Sequence, residues 1–109
     1  MLFFLSQSHC PLLFVVRYDG SDPSLPIYIA VHGIVYDVTN GGAYYGKGGS
    51  YEVFAGRVCT RALALSTLDE KDLVDHIEGV TEKQLADLKT WSRFFDKKYK
   101  RVGVMVAAE

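Results

Sequence analysis

Residues 44–57, YYGKGGSYEVFAGR, constrain this chain more than any other stretch. Three tyrosines and four glycines fall within fourteen positions, soon after a run at residues 34–39 whose alternation reads as a β-strand. Packing alone rarely demands such density. Gly46, Gly48 and Gly49 are expected to take positive φ and to let the backbone approach a ligand. Ser50 has the chemistry of an N-cap for a short helical run over residues 51–55, and Gly56 that of the residue that stops it. The expected result is a flexible loop feeding one helical turn, with the phenol of Tyr51 aimed by the loop.

The rest of the chain limits what can surround that loop. At 109 residues and 49% hydrophobic content, it suits one compact domain and has too little material for two cores. A formal charge of -1 and a pI near 6.3 argue against a nucleic-acid binder, which needs a basic surplus. The charge is uneven, however: seven acids lie in residues 69–87 and five bases in residues 93–101. These read as a solvated acidic face and a helix end carrying dipole-matched cations, with a basic docking patch as the alternative. Cys10 and Cys59 form neither a close metal spacing nor a disulfide framework.

Residues 1–16, MLFFLSQSHCPLLFVV, are apolar but interrupted by SQSH, and are short for a membrane span. They lack the basic start and small-residue cleavage site of a signal peptide. A buried leading segment, part of a longer anchor, or an irregular start all remain open. The expected organisation is an atypical apolar segment at residues 1–17, one domain at 18–106, and a tail at 107–109.

After the turn-forming YDGSDPSLP, residues 28–31 and 34–39 alternate as two strands separated only by His32 and Gly33. That spacing predicts a hairpin with a type I′ turn, in which His32 is a turn residue and no ligand. Thr60 is expected to cap a short helix over TRALAL, with Arg61 at its rim. Thr67 and Glu70 have capping-box spacing for a third short helix over residues 68–74. Thr81 and Gln84 repeat it for the longest helix, residues 82–99, with Leu85, Leu88, Trp91 or Ser92, Phe95 and Tyr99 along one face. Gly103 is expected to stop that run, and residues 102–106 to form a last strand. The order is α+β: a small sheet with a cluster of short helices and one longer C-terminal helix. Such a cluster walls a pocket, here a cleft lined by Tyr45, Tyr51, Phe54 and residues of the longest helix.

Several chemistries can be weighed. GGAYYGK at residues 41–47 fits all but the last position of a phosphate-binding loop, yet Gly48 stands where Ser or Thr must hold magnesium. Cys59 beside Arg57 could be an activated thiol, but no orienting pair accompanies it, and a structural cysteine accounts for it better. His76, within DHIEG, reads as a surface residue. The remaining candidate is metal-porphyrin binding through a phenolate. Holding Tyr51 ionised at pH 7 costs about 4 kcal/mol, which a ferric ion can supply. A second phenol, Tyr45 or Tyr99, and the cation Lys98 could hydrogen-bond the phenolate or a haem edge. Ordinary half-buried tyrosines remain the alternative.

Taken in order, YDGSDP, PIYIAVHGIVYDVT, YYGKGGSYEVFAGR, TRAL and a final W with FFDKKYKRVG resemble the membrane-associated progesterone receptor family. That family is a branch of the cytochrome b5-like haem-binding fold and includes neudesin and neuferricin. The likeness runs over residues 18–103. It implies a cytochrome b5-like fold binding haem b, with Tyr51 as axial iron ligand and Tyr45, Lys98 and Tyr99 as further haem contacts. HPGG, which carries one of the two histidine ligands of ordinary cytochrome b5, is absent. The implied pocket therefore leaves one haem face open and has a low potential, suited to haem handling or to sterol- and monooxygenase-linked regulation without turnover. The resemblance also implies sterol as a ligand, haem-thiolate monooxygenases or other membrane proteins as partners, and an endomembrane, ER-associated or else secreted location. An exposed haem face could stack two protomers. A haem-free sterol-binding or interaction module on the same fold is the competing expectation. Two departures stand out: Val58 follows AGR where the family has aspartate, and HCPLLFVVR replaces the usual start.

Overall fold

The computed structural model describes residues 9–10 and 17–105. Four strands form one sheet in the order β1-β4-β3-β2: β1 His9–Cys10, β2 Tyr28–Val31, β3 Ile34–Asp37 and β4 Lys100–Met105. Apart from His9 and Cys10, the expectations for residues 1–16 lie outside the described residues. β1 runs parallel to β4, and the other pairs are antiparallel.

The hairpin forms as its spacing predicts. Val31 faces Ile34, and His32 (φ 51°) and Gly33 (φ 84°) both take the left-handed conformation that a type I′ turn requires. β3 ends at Asp37, two residues short of the expected strand, because the Asp37 carboxylate accepts the Thr39 N–H at 3.0 Å and turns the chain into the 3-10 helix Thr39–Gly41. β2 is buried on both faces. Ile29 and Val31 face the helices, while Tyr28 and Ala30 are covered by Val58 and by Tyr18, whose ring stacks on Tyr28 at 4.4 Å.

The longest helix, Glu82–Lys98, opens with the expected capping box: the Gln84 N–H donates to Thr81 Oγ1 (3.1 Å), and the Thr81 N–H donates to Gln84 Oε1 (2.9 Å). Its apolar stripe buries Leu88 and Phe95 completely and packs Leu85 and Trp91 at the margin. It ends at Tyr99, where the backbone becomes extended (φ −127°, ψ 159°). Gly103 therefore does not stop the helix; it pairs with Val35 inside β4, beside a register shift between Val35 and Tyr36.

Three local expectations are corrected. Thr60 opens the helix Thr60–Leu65 but does not cap it. Its hydroxyl is buried, accepts the His32 N–H (2.8 Å) and donates to Asp75 (2.6 Å), so it ties the hairpin turn to the loop beyond. Arg61 does not stay at the rim. It pairs with Asp72 at 3.5 Å and donates to the His76 and Glu78 carbonyls, pinning that same loop. The expected helix at 68–74 shrinks to the 3-10 turn Glu70–Asp72, because Thr67 Oγ1 accepts from Asp69 and Asp69 itself takes the cap.

Candidate functional site

The tyrosine-glycine stretch is more ordered than a flexible loop. Residues Gly42–Tyr45 form a short α-helix, and the chain then folds back on it. Gly48 is the one glycine of the three expected to show positive φ that does so, at 84°. Gly46 and Gly49 serve close approach of backbone to backbone. A Cβ at Gly46 would lie 2.6 Å from the Gly42 carbonyl oxygen, and one at Gly49 would collide with the Tyr44 carbonyl. This crowding lets the Tyr51 N–H donate to the Tyr44 carbonyl at 2.8 Å, which sets Tyr51 beside the preceding tyrosines.

Ser50 does not act as a cap. The helical turn is the 3-10 segment Glu52–Phe54, with Tyr51 itself in the cap position and no side-chain cap bond. Gly56, at φ 71°, ends it as expected, and its N–H donates to the Tyr28 carbonyl. The turn is thereby fastened to β2. Val58 bridges to Ala30 in the same way and is buried, so it extends this anchor in place of a polar helix cap.

Tyr51 and Phe54 stack at 5.7 Å with planes 17° apart and form one wall of an open apolar cleft of about 290 Å³. The buried Ala62 and Leu63 form its floor, Ser66, Thr67 and Leu68 one side of its opening, and Trp91 of the long helix the other. Tyr51 is 36% exposed, and its hydroxyl has no hydrogen-bond partner among the described residues. That oxygen is free for an incoming ligand.

Tyr45 does not line the cleft. It is buried directly behind, its ring 6.0 Å from Tyr51 and 6.3 Å from Tyr99. Burial, then the nearby Tyr99, pushes the Tyr45 phenol up; burial, then Tyr44, does the same for Tyr99. Both shifts favour the protonated phenol. Tyr99 is held against Gly41, where any Cβ would collide with its hydroxyl. Lys98 stands apart, exposed at the helix end with its ammonium 6.0 Å from the Phe94 ring centroid. The structure thus joins Tyr51, Tyr45 and Tyr99 in one ring cluster and leaves Lys98 at its edge.

The other candidates dissolve. Cys59 is fully buried, its thiol directed at the Phe54 and Arg57 carbonyls, and burial pushes its pKa far up, so it is no nucleophile. His32 is a turn residue. No cluster of metal-ligating side chains occurs among the described residues.

Sequence reasoning placed Tyr51, Phe54 and the long helix, which supplies Trp91, at the cleft but missed Ala62, Leu63, Ser66, Thr67 and Leu68. Their only signal is the small and apolar pair Ala62 and Leu63 before Ser66, which ends its helix in a left-handed conformation (φ 57°). It also missed the Tyr36–Asp96–Arg101 group behind the cluster. The buried Tyr36 hydroxyl donates to Asp96 (2.7 Å), which Arg101 grips through two nitrogens at 2.8 and 2.9 Å. Tyr36 and Asp96 lie 60 residues apart in the chain.

A small sheet backing short helices, one longer helix and an apolar cleft with a free phenol at its mouth defines a cytochrome b5-like α+β domain of the ligand-binding kind. The chain matches the Cytochrome b5-like Heme/Steroid binding domain family over residues 15–105. It is 44% identical over 91 residues to Probable steroid-binding protein 3 of Arabidopsis thaliana, covering 84% of this chain and 91% of that one. It is 41% identical to Membrane steroid-binding protein 2 of Oryza sativa, again over 84% of this chain but only 34% of that longer protein. Among solved structures, a hypothetical protein from Arabidopsis thaliana described as having a cytochrome b5 like fold superposes with a TM-score of 0.84. Its sequence identity is 38%, over 98% of this chain and 96% of that one. The chain belongs to the cytochrome b5-like haem/steroid-binding domain family, in its membrane-associated progesterone receptor branch.

Proposed function

We propose that this domain binds haem b without turning over a substrate, and that the Tyr51 oxygen is the axial ligand. The observation that carries this reading is the unbonded Tyr51 hydroxyl at the mouth of an apolar cleft, stacked on Phe54. The residues present fit the group. A phenolate is a hard oxygen donor suited to ferric iron, and the walls of Phe54, Leu63, Leu68 and Trp91 suit a flat apolar ring. The cleft, at about 290 Å³, is at the lower end of ligand-pocket size, so much of a porphyrin would stay in solvent.

When bound, the haem supplies a ferric centre that lowers the cost of ionising a phenol. The chain's own contribution is positional. The Gly46 and Gly49 close approaches hold Tyr51 in place, and Phe54 fixes its ring plane. Tyr45 and Tyr99, both kept protonated, supply donors behind it. Lys98, beside Phe94, offers a cation to a haem carboxylate.

The relatives named as membrane and steroid-binding proteins favour a second reading, in which the same cleft takes a sterol and no haem. The word membrane in one of those names favours a membrane-associated location; an endomembrane site, and a role in haem handling or in regulating membrane-bound monooxygenases, are our proposals from the family resemblance.

An optical titration with ferric haem separates the readings. Saturable one-to-one binding with a high-spin tyrosinate-like spectrum is expected, lost in Tyr51→Phe and weakened in Tyr45→Phe. Haem binding unchanged in Tyr51→Phe would move the ligand elsewhere. No saturable haem binding, together with sterol binding indifferent to Tyr51→Phe, would select the sterol reading.

A further inference from the structure

Beside the cleft, the long helix presents a face that the core does not use. Lys89, Arg93 and Lys97 succeed one another at four-residue spacing, which places them in one row along the helix, and all three are exposed. Like charges at this spacing repel; Lys97 lies in the last turn, where the helix dipole favours a cation, but Lys89 and Arg93 stand further in, where the dipole gives no such offset. No ion pair among the described residues neutralises the row, whereas two acids of the same helix are occupied: Asp87 pairs with Lys83, and Asp96 with Arg101. The adjoining row carries Phe94, 41% exposed, with the Lys98 ammonium 6.0 Å from its ring centroid. An unpaired cationic row flanking an exposed aromatic ring is the chemistry of a surface that lies on anionic lipid, cations at the headgroups and ring at the acyl boundary.

The position of this face gives it a consequence. Phe94 meets Trp91 edge-to-face at 5.7 Å, and Trp91 is a lip of the cleft. Leu68 and Tyr51, both exposed, stand at the same opening. We propose that the Lys89–Arg93–Lys97 row with Phe94 and Lys98 is a docking surface for an anionic membrane leaflet, and that docking brings the cleft mouth to the lipid boundary. A flat apolar ligand then passes between bilayer and cleft without crossing bulk water. The docking does not depend on which ligand the cleft holds. The passage rests on the apolar-ligand reading above.

Co-sedimentation of the full chain with vesicles tests the docking without any cleft ligand. Vesicles of phosphatidylcholine alone are compared with vesicles containing roughly a third phosphatidylserine, a content chosen to give the negative surface potential of an anionic leaflet. Binding to the anionic vesicles alone is expected, weakened about fivefold for each cation removed and lost in the combined Lys89→Glu, Arg93→Glu, Lys97→Glu variant. Phe94→Ser should weaken it further while leaving circular dichroism unchanged. Binding that is equal on neutral vesicles, or that survives the triple charge reversal, would trace to another part of the chain and overturn the proposal. Absence of binding to either vesicle would also overturn it and leave an acidic protein surface as the complement of the row. Haem or sterol binding that fails while vesicle binding persists would sink the ligand reading and leave the docking standing.

Discussion

At the scale of single residues, the site depends on side chains kept in one protonation or hydrogen-bonding state. Tyr51 is left unbonded at the cleft, while burial moves the phenols of Tyr45 and Tyr99 behind it still further from ionisation. Asp96 is the opposite case. Its bond to Arg101, then that to Tyr36, holds its carboxyl below the usual carboxylate range. An unfolded aspartate titrates near 3.9, so the stability this group contributes is fully present above that pH and is lost as pH falls through the lower folded value. Both partners are substantially exposed, so the contribution is modest. Asp96→Asn is therefore expected to lower stability at pH 7 by about 1 kcal/mol and to reduce the loss on acidification. Urea unfolding at pH 7 and at steps from pH 4 to pH 2 checks this. Parallel pH profiles for the two proteins would show that Asp96 is not a source of acid sensitivity.

At the scale of elements, the readable ones were those whose ends are set by neighbours in the chain. The hairpin was legible because two residues of left-handed backbone, one of them glycine, separate two alternating runs. The long helix was legible because Thr81 and Gln84 close a box across three residues. Thr81→Ala should cost about 1 kcal/mol by leaving the Gln84 N–H without its cap, measured as a fall in urea midpoint at unchanged slope. A change under a few tenths would mean that water replaces the cap. The short elements were misread for the converse reason. Thr60 and Thr67 have the composition of caps, but their hydroxyls are taken by His32 and Asp75 in the one case and by Asp69 in the other. Which partner a threonine hydroxyl takes depends on what the fold brings within hydrogen-bonding reach, and that is not written at a fixed offset.

At the scale of the whole molecule, the sheet and helices supply a frame on which the cleft wall of short helical turns is hung. Gly56 and Val58 tie the Tyr51 turn to β2, Thr60 ties the next helix to the hairpin turn, and Phe95 packs the long helix against Tyr36 and Tyr45. A ligand that bridges Tyr51 and Trp91 joins the loop wall to the long helix and should stabilise the domain as a unit. With ferric haem at a hundredfold excess over its dissociation constant, about 2.7 kcal/mol of added stability is expected, a rise in melting temperature of roughly 10 °C or more. The rise should vanish in Tyr51→Phe; a rise that persists in that variant would mean that haem binds elsewhere.

The sequence by itself determined the α+β order, the hairpin and its turn, the long helix and its apolar face, and the family, and it singled out Tyr51 as the phenol to test as a ligand. These rest on periodicities and caps that act over a few residues, or on motifs in fixed order. Only the tertiary structure decided that Tyr45 stands behind the cleft and not in it, that Lys98 lies at the edge beside Phe94, and that Leu63, Leu68 and Trp91 complete the walls. The physical reason is that burial and an unbonded hydroxyl are properties of what surrounds a side chain. Those surroundings come from segments tens of residues apart, brought together by the sheet and the long helix.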